Sequence, residues 1–315
     1  MPVTDLLAPL RAHGGQRTTG LDDATIERFA ATHPELREAI EAAAAEYARV
    51  KDEFAELLDL DEDRQIAALQ AGYVNFYPTD SVNPYVALAA RGPWIVTLKG
   101  AVIHDSGGYG MLGLGHTPKA VLEALARPQV MANVMTPSLS QLRFDRAMRR
   151  EIGHTRGGCP FTHFLCLNSG SEAVGLAARI ADINTRLMTD PDGRHAGKAV
   201  RRVVIKGSFH GRTERPALYS DSTRSTYLKY LASFRNEDTL IAVEPYDADA
   251  LRRVFAEADA NGWFIEAVFM EPVMGEGDPG RALPRAFYDV ARELTAAHGS
   301  LLLVDSIQAG LRAHG

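Results

Sequence analysis

A chain of 315 residues with 46% hydrophobic and 23% charged residues has ordinary globular composition, with apolar material for one large core or two unequal ones. The net charge of -6 leaves no basic footprint, so neither nucleic acid nor an anionic membrane surface is expected as a partner. No apolar run reaches the roughly 18 residues of a membrane span and the N-terminus has no signal-peptide core, so a cytoplasmic protein with no membrane partner is expected. Cys159 and Cys166 fit neither a zinc knuckle nor a redox pair; both read as reduced thiols, and no metal site is expected.

Residues 1–20 are polar, glycine-containing and aperiodic, which predicts a mobile or draped segment. Leu36, Ile40, Ala43, Tyr47, Val50, Phe54 and Leu57 then recur at threes and fours between charged residues, which predicts one long amphipathic helix over 34–58. The aromatic, proline-broken stretch 73–85 reads either as a loop of the kind that lines pockets or as a packed surface loop. β-branched residues on both sides of Lys99-Gly100 predict a hairpin of 94–98 with 101–104. The glycines at 108–113 match a dinucleotide fingerprint formally, but the next helix opens only at Thr117-Pro118 and Asn133 stands where an acid is required. Residues 192–198 likewise fail the spacing of a phosphate loop.

After Ser138, a plausible N-cap, a basic amphipathic helix is expected to about 152. Strands are predicted at 161–167, 200–206, 240–244, 265–271 and 301–305, with helices at 171–188, 247–260 and 284–298. Short, uniformly apolar strands alternating with amphipathic helices predict an α/β fold, a mostly parallel sheet covered by helices on both faces. The expected organisation is a helical N-terminal segment with a substrate-side loop (1–83), a part with the hairpin and glycine-rich loop (84–137), and a large domain (138–315).

In such sheets ligands bind beyond the carboxyl ends of the strands, and that is where the chemistry-bearing residues fall. Asn168-Ser169-Gly170-Ser171-Glu172-Ala173 follows an apolar run and opens a helix. A glycine for close approach, unpaired first-turn amides, a serine hydroxyl and the helix dipole together make an anion site that a phosphate fits. The same residues also spell a capping box, Ser169 to Glu172. Phe209, beside His210 and Gly211, could stack on a planar ring, or be core; His210 could equally be a structural histidine. Asp305, after four apolar residues, is costly to bury without a cationic partner such as a protonated ring nitrogen, although it could also cap the next turn. Together these residues describe a pocket for a phosphorylated, protonated heteroaromatic.

Five stretches occur in order: 114–118 (Leu-Gly-His-Thr-Pro), 168–173, 207–213 (Gly-Ser-Phe-His-Gly-Arg-Thr), 271–277 (Glu-Pro-Val-Met-Gly-Glu-Gly) and 301–310 (Leu-Leu-Leu-Val-Asp-Ser-Ile-Gln-Ala-Gly). Through them the sequence resembles the class-III, or ω-, aminotransferases, pyridoxal-phosphate enzymes of fold type I. The resemblance implies pyridoxal 5'-phosphate as cofactor, with Gly170 and Ser171 on the phosphate and Phe209 and Ile307 on the two ring faces. Asp305 would pair with the ring nitrogen, Gln308 would approach the ring hydroxyl, Glu271 would lie near the cofactor as a support, and His210 would lie by the cofactor. It also implies a homodimer.

Two departures stand out. Ser306 replaces the acidic residue usual after the ring-pairing aspartate, and the family's Schiff-base lysine lies some tens of residues beyond the last motif, past Gly315. Lys206 and Lys99 are poor substitutes by position. The expectation is therefore the N-terminal and large-domain part of an enzyme that moves an amino group from an amine or amino acid, ω-amino ones included, to a 2-oxo acid, lacking the small C-terminal domain. The alternatives are a racemase, aminomutase or decarboxylase on the same fold, or a catalytically silent, lysine-free homologue. Arg212 and the 73–85 loop are candidates for touching substrate.

Overall fold

The computed structural model describes residues 2–74, 81–106, 113–130, 132–133, 135–155 and 157–310. They form two units, Met1–Thr136 and Pro137–Gly315. Residues 75–80 of the 73–85 aromatic loop, and all of the 108–113 glycine stretch but Gly113, lie outside the described residues.

The first unit is built on α3 (Pro34–Glu53), which buries Leu36, Ala39, Ile40, Ala43 and Tyr47 as one stripe. The stripe packs on an antiparallel sheet of β1 (Ala87–Arg91), β2 (Trp94–Thr97) and β3 (Val102–His104), in that order. The hairpin turns at Lys99-Gly100 as expected. The long helix expected over 34–58 is instead broken at Phe54, whose φ of -140° and ψ of 44° are not helical, and a one-turn helix (Ala55–Leu58) follows.

Residues 1–20 do not behave as expected either. Val3–Leu7 is a 3-10 turn that runs into a short helix (Ala8–Arg11), and Val3, Leu7 and Leu10 are buried in the core of this unit. Their three-to-four spacing is one turn of apolar periodicity, too short to rise above the polar residues around it. Lys99 holds this segment down: its buried ammonium donates to the carbonyls of His13 at 2.7 Å and Leu58 at 2.8 Å. Burial pushes the Lys99 ammonium below its ordinary pKa, and Glu62, Asp59 and Asp61 oppose that shift.

The second unit is the α/β layer. β4 (Ala199–Ile205), β5 (Leu240–Val243), β6 (Trp263–Met270) and β7 (Leu301–Val304) form a parallel sheet in the order β5-β4-β6-β7. Successive residues of the central strands go to opposite sides. Val203, Ile205, Val268 and Met270 join a core with Leu251 and Phe255 of α11 (Ala248–Ala260) and Phe287 and Ala291 of α12 (Arg285–His298). Val204, Ala267 and Phe269 join Val174, Ala178 and Ala181 of α8 (Gly170–Thr189). Uniformly apolar strands buried on both faces are what parallel pairing with helices on each side requires. The basic helix after Ser138 is α7 (Leu139–Gly153), opened by a capping box of Ser138 and Gln141.

One predicted strand is absent. Residues 161–167 make no ladder, and Phe161, Leu165 and Leu167 are exposed. Arg149 donates to the carbonyls of Phe161 and Thr162 at the start of the run, both at 2.9 Å, and just past its end the N–H of Asn168 donates to Glu172. Apolar, β-branched composition is a weak prior where no neighbouring strand accepts the pairing.

Candidate active site

The four loops that follow the carboxyl ends of β4, β6 and β7 and precede α8 meet at one end of this sheet. Ser169, extended at φ -146° and ψ 159°, caps α8 by accepting the Glu172 N–H at 3.2 Å, while Glu172 accepts the Asn168 N–H at 2.9 Å. The capping interaction therefore exists, and it leaves the anion site intact. The N–H groups of Gly170 and Ser171 have no acceptor among the described residues, and they sit at the positive end of a 20-residue helix. A Cβ on Gly170 would lie 3.0 Å from the Ile307 side chain, and one on Gly211 would lie 2.9 Å from the Ser171 hydroxyl. The first, third and last of these loops thus approach within van der Waals distance only because glycines face each other's side chains.

The loop after β4 carries Phe209 and His210. Its backbone is fixed at three points: Gly207 N–H to Asp221 at 2.7 Å, Phe209 N–H to Glu271 at 3.1 Å, and His210 N–H to the Ser220 hydroxyl at 2.9 Å. Ser220 in turn donates to the Gly211 carbonyl at 2.7 Å. Glu271, at the end of β6, uses its second oxygen for the Gly275 N–H at 2.9 Å, so one buried carboxylate ties two loops together. Burial raises its pKa above the ordinary glutamate value, against the pull of those two N–H groups.

Asp305 follows β7, its side chain only 7% exposed. One oxygen accepts His210 Nδ1 at 2.9 Å and the other accepts the Ile307 N–H at 3.1 Å. Gln308 folds against Gly275, where a Cβ would fall 1.7 Å from its Oε1. Ile307 is 57% exposed. Beside Phe209, the Arg212 guanidinium lies 5.2 Å from the ring centroid and 4.0 Å from Glu276.

All eight residues singled out from the sequence thus belong to one cluster. His210 occupies a different place within it from the one expected: it stands behind Asp305, fully buried, rather than open to a ligand. Glu271 braces the backbone of the Phe209 loop. Of the two lysines weighed as substitutes, Lys206 is exposed and paired with Glu244, and Lys99 is committed to backbone carbonyls of the first unit. Cys159 and Cys166 are free thiols.

Sequence reasoning missed the support beneath the loop. Glu266, 1% exposed in the middle of β6, accepts the Tyr219 hydroxyl at 2.7 Å and Arg215 at 2.9 Å, with Arg202 at 3.2 Å. Tyr219 stacks on Phe269 at 3.7 Å, and burial followed by the Glu266 charge holds its phenol far above the ordinary tyrosine range. The signal was present: a glutamate inside the apolar run 263–270 has to find buried cations.

The features fit a phosphorylated pyridine. Free N–H groups at a helix N-terminus suit the phosphate, glycines leave room where side chains would crowd it, and a mostly buried carboxylate with unused lone pairs suits a protonated ring nitrogen.

The aminotransferase class-III family profile matches residues 76–315. The chain belongs to the class-III aminotransferase family. Pyridoxal 5'-phosphate is accordingly its cofactor. Among curated relatives, the glutamate-1-semialdehyde 2,1-aminomutase of Caldivirga maquilingensis is 30% identical over 237 residues, covering 73% of this chain and 50% of its own length. The acetylornithine aminotransferase of Mycobacterium tuberculosis is 30% identical over 251 residues, covering 78% of this chain and 55% of its own. Among solved structures, the ornithine aminotransferase of Toxoplasma gondii ME49 superposes with a TM-score of 0.60 at 21% identity, over 83% of this chain and 57% of that one. The acetylornithine aminotransferase of Elizabethkingia anophelis gives 0.52 at 22% identity, over 79% and 56%. At such identities these structures bear on the fold alone. The chain spans about half the length of the curated relatives it matches. No helix among the described residues is long and apolar enough to cross a membrane.

Proposed function

We propose that the intact protein transfers an amino group from an amine or amino acid, ω-amino compounds included, to a 2-oxo acid, and that this chain is its N-terminal segment and large domain. The observation that carries the reading is the placement of Asp305, Gly170, Ser171, Phe209, Ile307 and Gln308 around one end of the parallel sheet. Bound pyridoxal phosphate supplies an electron sink for the amino-group chemistry. The residues of this chain do the rest. Gly170 and Ser171 N–H groups and the Ser171 hydroxyl bind the phosphate. Phe209 and Ile307 hold the ring between them, Asp305 keeps a proton on the ring nitrogen, and Gln308 orients the ring hydroxyl. Glu271 keeps the Phe209 loop in place. Arg212 offers a guanidinium for a substrate carboxylate near the same ring.

The lysine that holds the cofactor covalently, and the small domain that completes the pocket, are assigned to sequence beyond residue 315. Two observations support this. The chain spans about half of its curated relatives. In addition β7, Leu-Leu-Leu-Val, is an interior type of strand lying at the end of the described sheet order, where an apolar parallel strand lacks its second neighbour. A homodimer in the cytoplasm and the division 1–83, 84–137 and 138–315 complete the proposal.

The aminomutase relative, 30% identical, favours one second reading, an amino shift within a single substrate. Both are tested on a longer product of the gene, loaded with pyridoxal phosphate and given amine with or without a 2-oxo acid. Amino transfer predicts an amino acid formed from the oxo acid in equal amount to the amine consumed. Product formed with no oxo acid consumed sinks the transfer reading and supports the mutase.

A further inference from the structure

We infer that His210 is a positioning residue, a neutral imidazole that donates from Nδ1 to Asp305 and thereby leaves the aspartate's full negative charge for the ring nitrogen. The inference rests on the cofactor reading above and deepens it.

The geometry admits three arrangements of the shared protons. The His210 side chain is 0% exposed, with Nδ1 2.9 Å from Asp305 Oδ2. Its Nε2 is buried with no partner among the described residues, and the edge of the ring meets Phe269 at 5.6 Å between centroids. An imidazolium would carry a charged N–H at Nε2 into a place without an acceptor. A neutral ring protonated at Nε2 would strand the same N–H and would need a protonated Asp305 to face the bare Nδ1. A neutral ring protonated at Nδ1 strands only a lone pair, and buried acceptors without partners are tolerated far better than buried N–H groups.

The surroundings agree. Glu271, the other titratable group near the pair, has both oxygens engaged by the Phe209 and Gly275 N–H groups and so gives Nε2 no acceptor. Asp305 Oδ1 takes the Ile307 N–H, which is the behaviour of an acceptor-only carboxylate. Two neutral donors therefore occupy one lone pair on each oxygen. They fix the orientation of the carboxylate without neutralising it, and its remaining lone pairs face a cation at full strength. An imidazolium in the same place would cancel much of that charge. The imidazole is held through its own backbone, since Ser220 accepts the His210 N–H and donates to the Gly211 carbonyl.

The first arm of the test is the tautomer, measured by long-range proton–nitrogen correlation on the 15N-histidine-labelled, 315-residue chain without ligand. A single proton on Nδ1 of His210 at neutral pH is expected; a proton on Nε2, alone or with one on Nδ1, overturns the inference. This arm needs no variant. The second arm is calorimetric binding of pyridoxamine 5'-phosphate, which requires no lysine, and of its 1-deaza analogue, in which carbon replaces the ring nitrogen. The unaltered chain should prefer the nitrogen compound, and Asp305→Asn should abolish the preference. His210→Asn, whose amide nitrogen sits where Nδ1 does, should keep most of it, and His210→Gln, which lacks a donor there, should reduce it about tenfold, as loss of a hydrogen bond to a charged group does. Equal preference in His210→Gln and the unaltered chain overturns the positioning role while leaving the cofactor reading intact. An unchanged preference in Asp305→Asn, or no binding of either compound, counts against the cofactor reading, and the tautomer then decides the histidine alone.

Discussion

Substituting Glu266→Gln removes the one negative charge that the second unit buries at the centre of β6. In the folded chain that carboxylate faces Arg215 at 2.9 Å, Arg202 at 3.2 Å and the Tyr219 hydroxyl at 2.7 Å. Breaking a buried pair from one side leaves an uncompensated charge and costs about 3–5 kcal/mol. Here both arginines keep a second acid, Asp182 at 3.1 Å for Arg215 and Glu237 at 3.7 Å for Arg202, and a glutamine oxygen can still accept from Tyr219. The cost therefore falls to the bottom of that range or just below it, about 2–3 kcal/mol, which for a unit of this size lowers the melting temperature by roughly 5–10 °C. Differential scanning calorimetry at pH 7 measures it. The loss should be nearly the same at low and high salt, because the group is 1% exposed and ions do not reach it. Tyr219→Phe should cost about 1 kcal/mol and be less than additive with Glu266→Gln. A melting temperature within 2 °C of the unaltered chain, or a loss that fades in salt, would refute the claim that this cluster anchors the Phe209 loop.

Gly275 and Gly277 lie two residues apart and should respond oppositely. An alanine methyl at 275 meets the flexible end of Gln308 at 1.7 Å, so Gly275→Ala should leave stability within about 1 kcal/mol and weaken pyridoxamine phosphate binding by displacing Gln308. Gly277 has φ +66° and faces the Gly207 carbonyl at 2.2 Å, so Gly277→Ala should destabilise by about 2 kcal/mol or more in urea unfolding. Burial holds His298 below the ordinary histidine pKa, against the pull of Asp259. Its folded pKa is depressed, so the stability it contributes is present above about pH 6.5 and is lost as pH falls through the folded value. Unfolding between pH 7 and 5 should accordingly be flatter for His298→Asn than for the unaltered chain. Lys99→Met strands the buried carbonyls of His13 and Leu58, and limited proteolysis should cut within residues 12–20 while amide exchange in the second unit stays unchanged.

Most of the second unit was legible in the sequence because its strands are uniformly apolar and its helices carry clear caps. The helix expected over 247–260, for instance, is α11, opened by Asp247, which accepts the Ala250 N–H at 2.8 Å. What failed was governed by partners. The 161–167 run has strand composition, but it pairs with no strand among the described residues, and Arg149 of the preceding helix takes the carbonyls of Phe161 and Thr162; a missing neighbour leaves no mark on local propensity. The N-terminal residues were misjudged because one turn of apolar spacing, Val3, Leu7 and Leu10, gains its meaning only when α3 and the hairpin are there to receive it. In the site, residue types and strand ends located Asp305, Phe209 and the Gly170 turn. The contacts of His210 depended on which atoms it faces, and Ser220 has no motif at all.

The central claim is that one end of this parallel sheet is a pyridoxal phosphate cradle, and a crystal structure of the chain with pyridoxamine 5'-phosphate tests it most directly. The account predicts the phosphate on the Gly170 and Ser171 N–H groups, the ring against Phe209, and the ring nitrogen within hydrogen-bond distance of Asp305. A ligand seated elsewhere, or bound with its ring nitrogen turned away from Asp305, would contradict it.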